Sequence, residues 1–162
     1  DEKADSPNVF ATEMFSITPQ DDIRTAQYKN MICSKNLIKK LLAAYKEGNI
    51  SVRMDSKDFD SWYNKRTAAD GKIDFHGRTR EIYNLIRGVA APFPGAFAYA
   101  GEEKVTVWEA QPFDEMIDFS AYAPGEIIDI FDNHPIVRTV DGSLLIKRYD
   151  SAKELQAGDV LS

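Results

Sequence analysis

The segment TREIYNLIRGV, residues 79–89, carries the first chemical signal: Arg80, Asn84 and Arg87 are spaced four and three apart. On a helix that spacing puts them on one side. Guanidinium groups pair with phosphate oxygens in a planar fork, and a carboxamide both donates and accepts hydrogen bonds. The other reading of Arg87 is a pairing with an acidic neighbour. Arg66 is a further guanidinium a short way upstream. Asp114, Glu115 and Asp118 form an acidic knot, but without a patterned ligand set they read as a solvated loop, and no metal is expected. The single cysteine, Cys33, excludes an internal disulfide and a cysteine-rich zinc site and reads as a buried thiol.

These residues need elements to hold them. Ile82, Leu85, Ile86 and Val89 recur at i, i+3, i+4 and i+7, which predicts a helix from about Arg78 to Val89 with Asn84 and Arg87 facing away from its apolar stripe. A longer helix is expected from about Asp22 to Glu47. Ile23, Met31, Leu37, Ile38, Leu41, Leu42 and Tyr45 lie on one half of its wheel and Lys29, Lys39, Lys40 and Lys46 on the other. Gly48 is placed to cap it. NVFATEMFSI, Asn8 to Ile17, reads as a strand. Residues 51–72 show no clear period and read as a connection, with Trp62 and Tyr63 packing it down.

Beyond the second helix the chain is strand-like. Strands are expected near Ala96–Ala100, Lys104–Ala110, Glu126–Phe131, Ile136–Val140 and Leu144–Tyr149, with AGEE and VDGS as tight turns. That many short strands predicts a small antiparallel β-barrel of the OB type. The expected organisation is an α/β remnant over residues 1–50, a linker over 51–72 and a barrel domain over 73–162. One strand and one helix cannot bury both faces of a layer, so the first part needs more sheet than it brings. Its apolar stripe is expected to promote a homo-oligomer or pairing with a missing half.

Charge narrows the partners. Of the 162 residues, those from Glu102 onward hold 5 Lys/Arg against 13 Asp/Glu, a net −8, while the first 101 hold 15 against 13, a net +2. An acidic tail repels phosphate backbones, so no nucleic acid is expected there. No apolar run reaches the roughly 18 residues of a membrane span. The start, DEKADSPNVF, lacks the apolar core of a signal peptide. A cytoplasmic protein with no membrane partner is expected.

The stretch RGVAAPFPGAFAYAG, Arg87 to Gly101, is apolar and stiff. With the preceding EIYNLI and the following EEKVTVWEA it closely resembles the C-terminal region of formyltransferases that use formyl-tetrahydrofolate. KRTAADGKIDF, Lys65 to Phe75, is similar to that family's Arg-Thr-Pro-x-Asp-x-x-Ile-x-Trp pattern, with Ala68 for the proline and Phe75 for the tryptophan. DEKADSPNVFATEMFSITPQDDI resembles the family's catalytic loop, strand and helix start. The resemblance puts Asp5 on the catalytic aspartate, with Ser6-Pro7-Asn8 in place of Thr-Gly-Asp. The sugar-nucleotide N-formyltransferases look nearest, because methionyl-tRNA formyltransferases typically have a basic C-terminal domain. A free-standing, non-catalytic binding module with this fold is the reading from another class.

The resemblance implies formyl transfer to the amine of a nucleotide-linked amino sugar, as in lipopolysaccharide modification. It also implies that this chain is a C-terminal half, inactive alone. The formyl-tetrahydrofolate site and an Asn-x-His motif would lie mainly upstream. His76 and His134 do not match that motif. Arg66 and Arg87 are then candidates for phosphate contact, Asn84 for a bond to base or ribose, and Phe97 or Tyr99 for packing on the base. The aromatics have a second reading as barrel core.

Overall fold

The computed structural model describes residues 8–54 and 64–162. Asp5, Trp62 and Tyr63 lie outside the described residues. Two compact units emerge, Asp1–Asp21 with Thr25–Lys65, and Asp22–Arg24 with Arg66–Ser162.

In the first unit, β1 (Asn8–Val9) pairs antiparallel with β2 (Arg53–Met54). The expected ten-residue strand is therefore only two residues long. A strand exists by its ladder, and residues 10–17 have no laddered neighbour among the described residues. Helix α1 (Ile23–Lys46) ends as expected: Gly48 has φ +66°, its N–H donates to Tyr45 O, and Asn49 N–H donates to Ala44 O. That pair of bonds is a Schellman cap. Ahead of the helix, Asp21 accepts from Lys29 Nζ at 2.6 Å and from Thr18 N and Oγ1 at 2.7 and 2.9 Å. Lys29 first, then the Thr18 N–H, hold the Asp21 carboxyl well below the usual carboxylate range. No side chain of α1 is buried; Ile38, Leu42 and Tyr45 are 57, 55 and 72% exposed. Cys33 is half-buried, so the thiol is less enclosed than expected.

The second unit holds α2 (Thr79–Val89) and a five-stranded antiparallel sheet. Its strands are β3 (Ala96–Ala100), β4 (Glu103–Asp114), β5 (Ile127–Phe131), β6 (His134–Arg138) and β7 (Ser143–Asp150), in the order β3-β4-β7-β6-β5. The stripe of α2 lands as its period demands, with Ile82, Ile86 and Val89 buried against Ala96, Ala98, Val105, Val107, Leu144 and Ile146. Asp132 and Asn133 take positive φ, 50° and 62°, and make the two-residue hairpin turn between β5 and β6.

The sheet is open, not the closed barrel expected. β3 and β5 do not pair with each other; the chain end lies between them and touches each by single bridges. Tyr99 and Ser162 exchange both backbone bonds, at 2.8 and 2.9 Å. Leu161 N–H donates to Gly125 O and Ile127 N–H to Asp159 O, both at 2.8 Å. A segment this short satisfies both edges without forming a sixth strand. No helix among the described residues is long and apolar enough to cross a membrane.

A buried polar knot pins the start of α2. Thr79 and Thr139 are both 0% exposed, with their hydroxyls 2.6 Å apart. Thr79 N and Oγ1 also donate to Asp141 Oδ1, at 2.7 and 2.8 Å. Thr79→Val strands the Thr139 hydroxyl and is expected to cost about 1–3 kcal/mol in a urea titration. The Asp141 carboxyl is held below its usual range, chiefly by the Thr79 N–H. A depressed carboxylate stabilises the fold fully above its unfolded pKa of about 3.9, and the contribution is lost as pH falls through the folded value. The urea midpoint is therefore expected to drop as pH falls below about 4, and to drop less in Asp141→Asn.

Candidate functional site

The turn RTAAD builds one wall of a cavity. Thr67 N and Oγ1 donate to Asp70 Oδ2 at 2.6 and 2.9 Å, which closes the 3-10 turn Ala68–Gly71. The Thr67 N–H and then its hydroxyl pull the Asp70 carboxyl down from its usual range. Gly71 then meets Gly95: a Cβ on Gly71 would stand 2.7 Å from Gly95 O. Gly95 itself has φ +85°, and its Cβ position is 2.7 Å from Thr106 Cγ2 and 2.9 Å from Trp108 Cζ3. Only glycine fits both places. Gly95 in PFPG thus makes a close turn. The peptide before Pro92 is cis.

Between these walls lies a cavity of about 330 Å³, lined in part by Arg66, Thr67, Gly88, Val89, Phe93 and Pro94. The volume suits a ligand of nucleoside size. It combines an apolar wall with one guanidinium. Phe93, 44% exposed, is the aromatic of this cavity. Sequence reasoning passed over it because a residue between two prolines has no period to read. Its position in PFPG was the available signal.

The other candidates form two separate groups. On α2, Arg87 Nε donates to Asn84 Oδ1 at 2.9 Å, and both Arg80 and Arg87 lie over the Tyr83 ring, at 5.6 and 5.5 Å. An amide and a ring are thus among the partners of Arg87. Phe97 and Tyr99 share one face of β3, as their spacing requires, and meet edge to face at 5.9 Å. That face is the outer one. Ala96, Ala98 and Ala100 fill the inner side, so Phe97 is half-buried and outside the core. Lys104 Nζ sits 4.5 Å from its ring centre. Arg66 lines the cavity; Asn84, Arg87, Phe97 and Tyr99 are not among its lining residues.

The polar loops are occupied structurally. Asp114 Oδ1 accepts from Met116 N and Ile117 N, and Asp118 Oδ1 from Ser120 N. His76 Nδ1 lies 3.2 Å from Asp74 in an exposed turn, and His134 Nδ1 lies 2.6 Å from Asp132 O. Neither histidine touches the cavity.

Residues 65–162 match the family described as formyl transferase, C-terminal domain. The chain belongs to that family. The formyl transferase domain therefore spans the 3-10 turn, α2, the cavity and the sheet. Phe75, where the family pattern has tryptophan, is 3% exposed and packs under Gly125. Among solved structures, the chain is similar to HypX from Aquifex aeolicus in complex with tetrahydrofolic acid, with TM-score 0.69 and 19% identity over 94% of this chain and 26% of that one. A multiply substituted variant of the same HypX gives the same values. A doubly substituted variant gives TM-score 0.66 at 19% identity and the same coverages. At that identity the likeness speaks for the fold. The formyl transferase chain spans about a quarter of the length of these HypX chains.

Proposed function

We propose that this chain is the C-terminal part of an enzyme that moves a formyl group from formyl-tetrahydrofolate to the amine of a nucleotide-linked amino sugar. The observation that carries the acceptor assignment is the cavity of about 330 Å³ with Phe93 and Arg66 on its walls. An aromatic face suits a nucleobase and a guanidinium suits a phosphate. Family membership over residues 65–162 supports the reaction class. The net −8 from Glu102 onward favours a small acceptor over a tRNA.

The reaction is acyl transfer. The neutral amine attacks the formyl carbon, and its electron pair forms the new C–N bond as the carbonyl becomes an oxyanion. The carbonyl re-forms as the folate nitrogen leaves. The amine's proton is carried off and the folate nitrogen is protonated. A histidine suits the proton transfers and an amide donor suits the oxyanion. In this proposal both precede the present segment, and Asp5 orients the imidazole. The exposed apolar residues of α1 then belong against the remainder of the catalytic domain.

Arg66→Ala in the full-length enzyme is expected to raise the acceptor KM about 10- to 100-fold, as loss of a charge-assisted bond does. Steady-state kinetics against UDP-4-amino-4-deoxy-arabinose would read this. An unchanged KM would remove Arg66 from the site.

A further inference from the structure

Trp108 lies on the outer face of β4, on the opposite side from the buried Val105 and Val107. Three contacts fix it. Its Nε1 donates to Asp150 Oδ2 at 2.7 Å. The Arg148 guanidinium lies 5.7 Å from its ring centre. Its Cζ3 and Cε3 atoms stand 2.9 and 3.1 Å from where a Gly95 Cβ would be. A large ring laid over a neighbouring strand's glycine shields that backbone and limits its motion. Gly95 in turn lines the cavity and abuts Gly71 through its carbonyl.

We infer that Trp108, held by Asp150 and Arg148, is a positioning residue that clamps the Pro94–Gly95 wall of the cavity and so sets the acceptor's seat. The inference rests on the reading of that cavity as the acceptor site. Trp108 touches the wall from behind and is not among the lining residues. Its removal frees the turn that carries Phe93, while the ladders of β4 with β3 and β7 run through its neighbours, Trp108 itself lying in the register shift between Val107 and Glu109. A wall displaced by about 1 Å weakens binding without changing the reacting groups.

The test uses full-length enzyme with Trp108→Ala, Trp108→Phe and Asp150→Asn. Two amides report the wall directly, Phe93 N–H bonded to Ala90 O and Gly95 N–H bonded to Val89 O, both at 3.0 Å. In Trp108→Ala their hydrogen exchange is expected to accelerate about tenfold while β6 and β7 amides keep their rates. The KM for UDP-4-amino-4-deoxy-arabinose is expected to rise about tenfold, with kcat within about twofold. Trp108→Phe keeps a ring against Gly95 and is expected to recover most of both effects. Asp150→Asn, which keeps the fold's apolar contacts intact, is expected to show a smaller shift in the same two readouts. Uniform acceleration across the sheet, or none at the wall, would overturn the clamp. Local acceleration with an unchanged KM would leave the clamp standing but overturn its link to acceptor binding, and with it the assignment of the cavity.

Discussion

Gly125→Ala is expected to remove about 3–5 kcal/mol from the C-terminal unit, a large fraction of the roughly 5–15 kcal/mol that holds an ordinary domain folded. Two costs add. Gly125 has φ +86°, which strains any residue with a Cβ by about 1–2 kcal/mol. The new methyl would also stand 2.2 Å from Leu161 O, a backbone atom that cannot swing aside. Leu161 N–H is bonded to Gly125 O, so relief of the clash breaks the bond that seats the chain end on the β5 side of the sheet. Leu161, 1% exposed, would leave the core with it. Gly158 gives the control. Its φ is +89°, but nothing lies within 4 Å of its Cβ position. Gly158→Ala should cost only about 1–2 kcal/mol of strain. Urea unfolding of the two variants separates the terms. Equal losses would show that the chain end does not hold the sheet's open side.

In the full-length enzyme, Asp5→Asn is expected to lower kcat about 10³- to 10⁴-fold. This follows from the proposed function and its histidine. A carboxylate accepts the imidazole N–H and stabilises the cation formed in proton transfer. A carboxamide of the same shape can present its own N–H instead and hold the wrong tautomer. In the serine-protease triad that exchange costs about 10⁴-fold with the geometry intact. The acceptor KM should stay within about threefold, because Asp5 is not assigned to binding. A loss under about tenfold would return Asp5 to an ordinary loop aspartate.

Much of the C-terminal unit was legible, for reasons that can be named. The stripe of α2 follows a 3.6 period, and Ile82, Ile86 and Val89 are the residues it buries. In the first unit, Gly48 stood just past Lys46, the last residue of α1, and became the cap.

The errors also have physical causes. Alternation alone does not say which parity of β3 faces inward. The row Ala96, Ala98, Ala100 faces the core and α2, where small side chains let elements approach, and this turned Phe97 and Tyr99 outward. Sheet closure was misjudged because the bridging segment, Asp159–Ser162, is too short to show a period. The first strand was read too long because alternation registers a face and not a neighbour. Arg66, a candidate phosphate contact from the sequence, lines the cavity. Phe93 and Trp108 were not assigned roles, since each lies against a turn whose shape comes from two glycines meeting across the fold.

The most direct test is formyl transfer by the full-length enzyme. Purified protein would be given formyl-tetrahydrofolate with UDP-4-amino-4-deoxy-arabinose, with other nucleotide-linked amino sugars, or with methionyl-tRNA, and the N-formyl product followed by mass spectrometry. The account predicts a formylated sugar nucleotide, none from methionyl-tRNA, and loss of product in Asp5→Asn. Formylated methionyl-tRNA with untouched sugar nucleotides would contradict it.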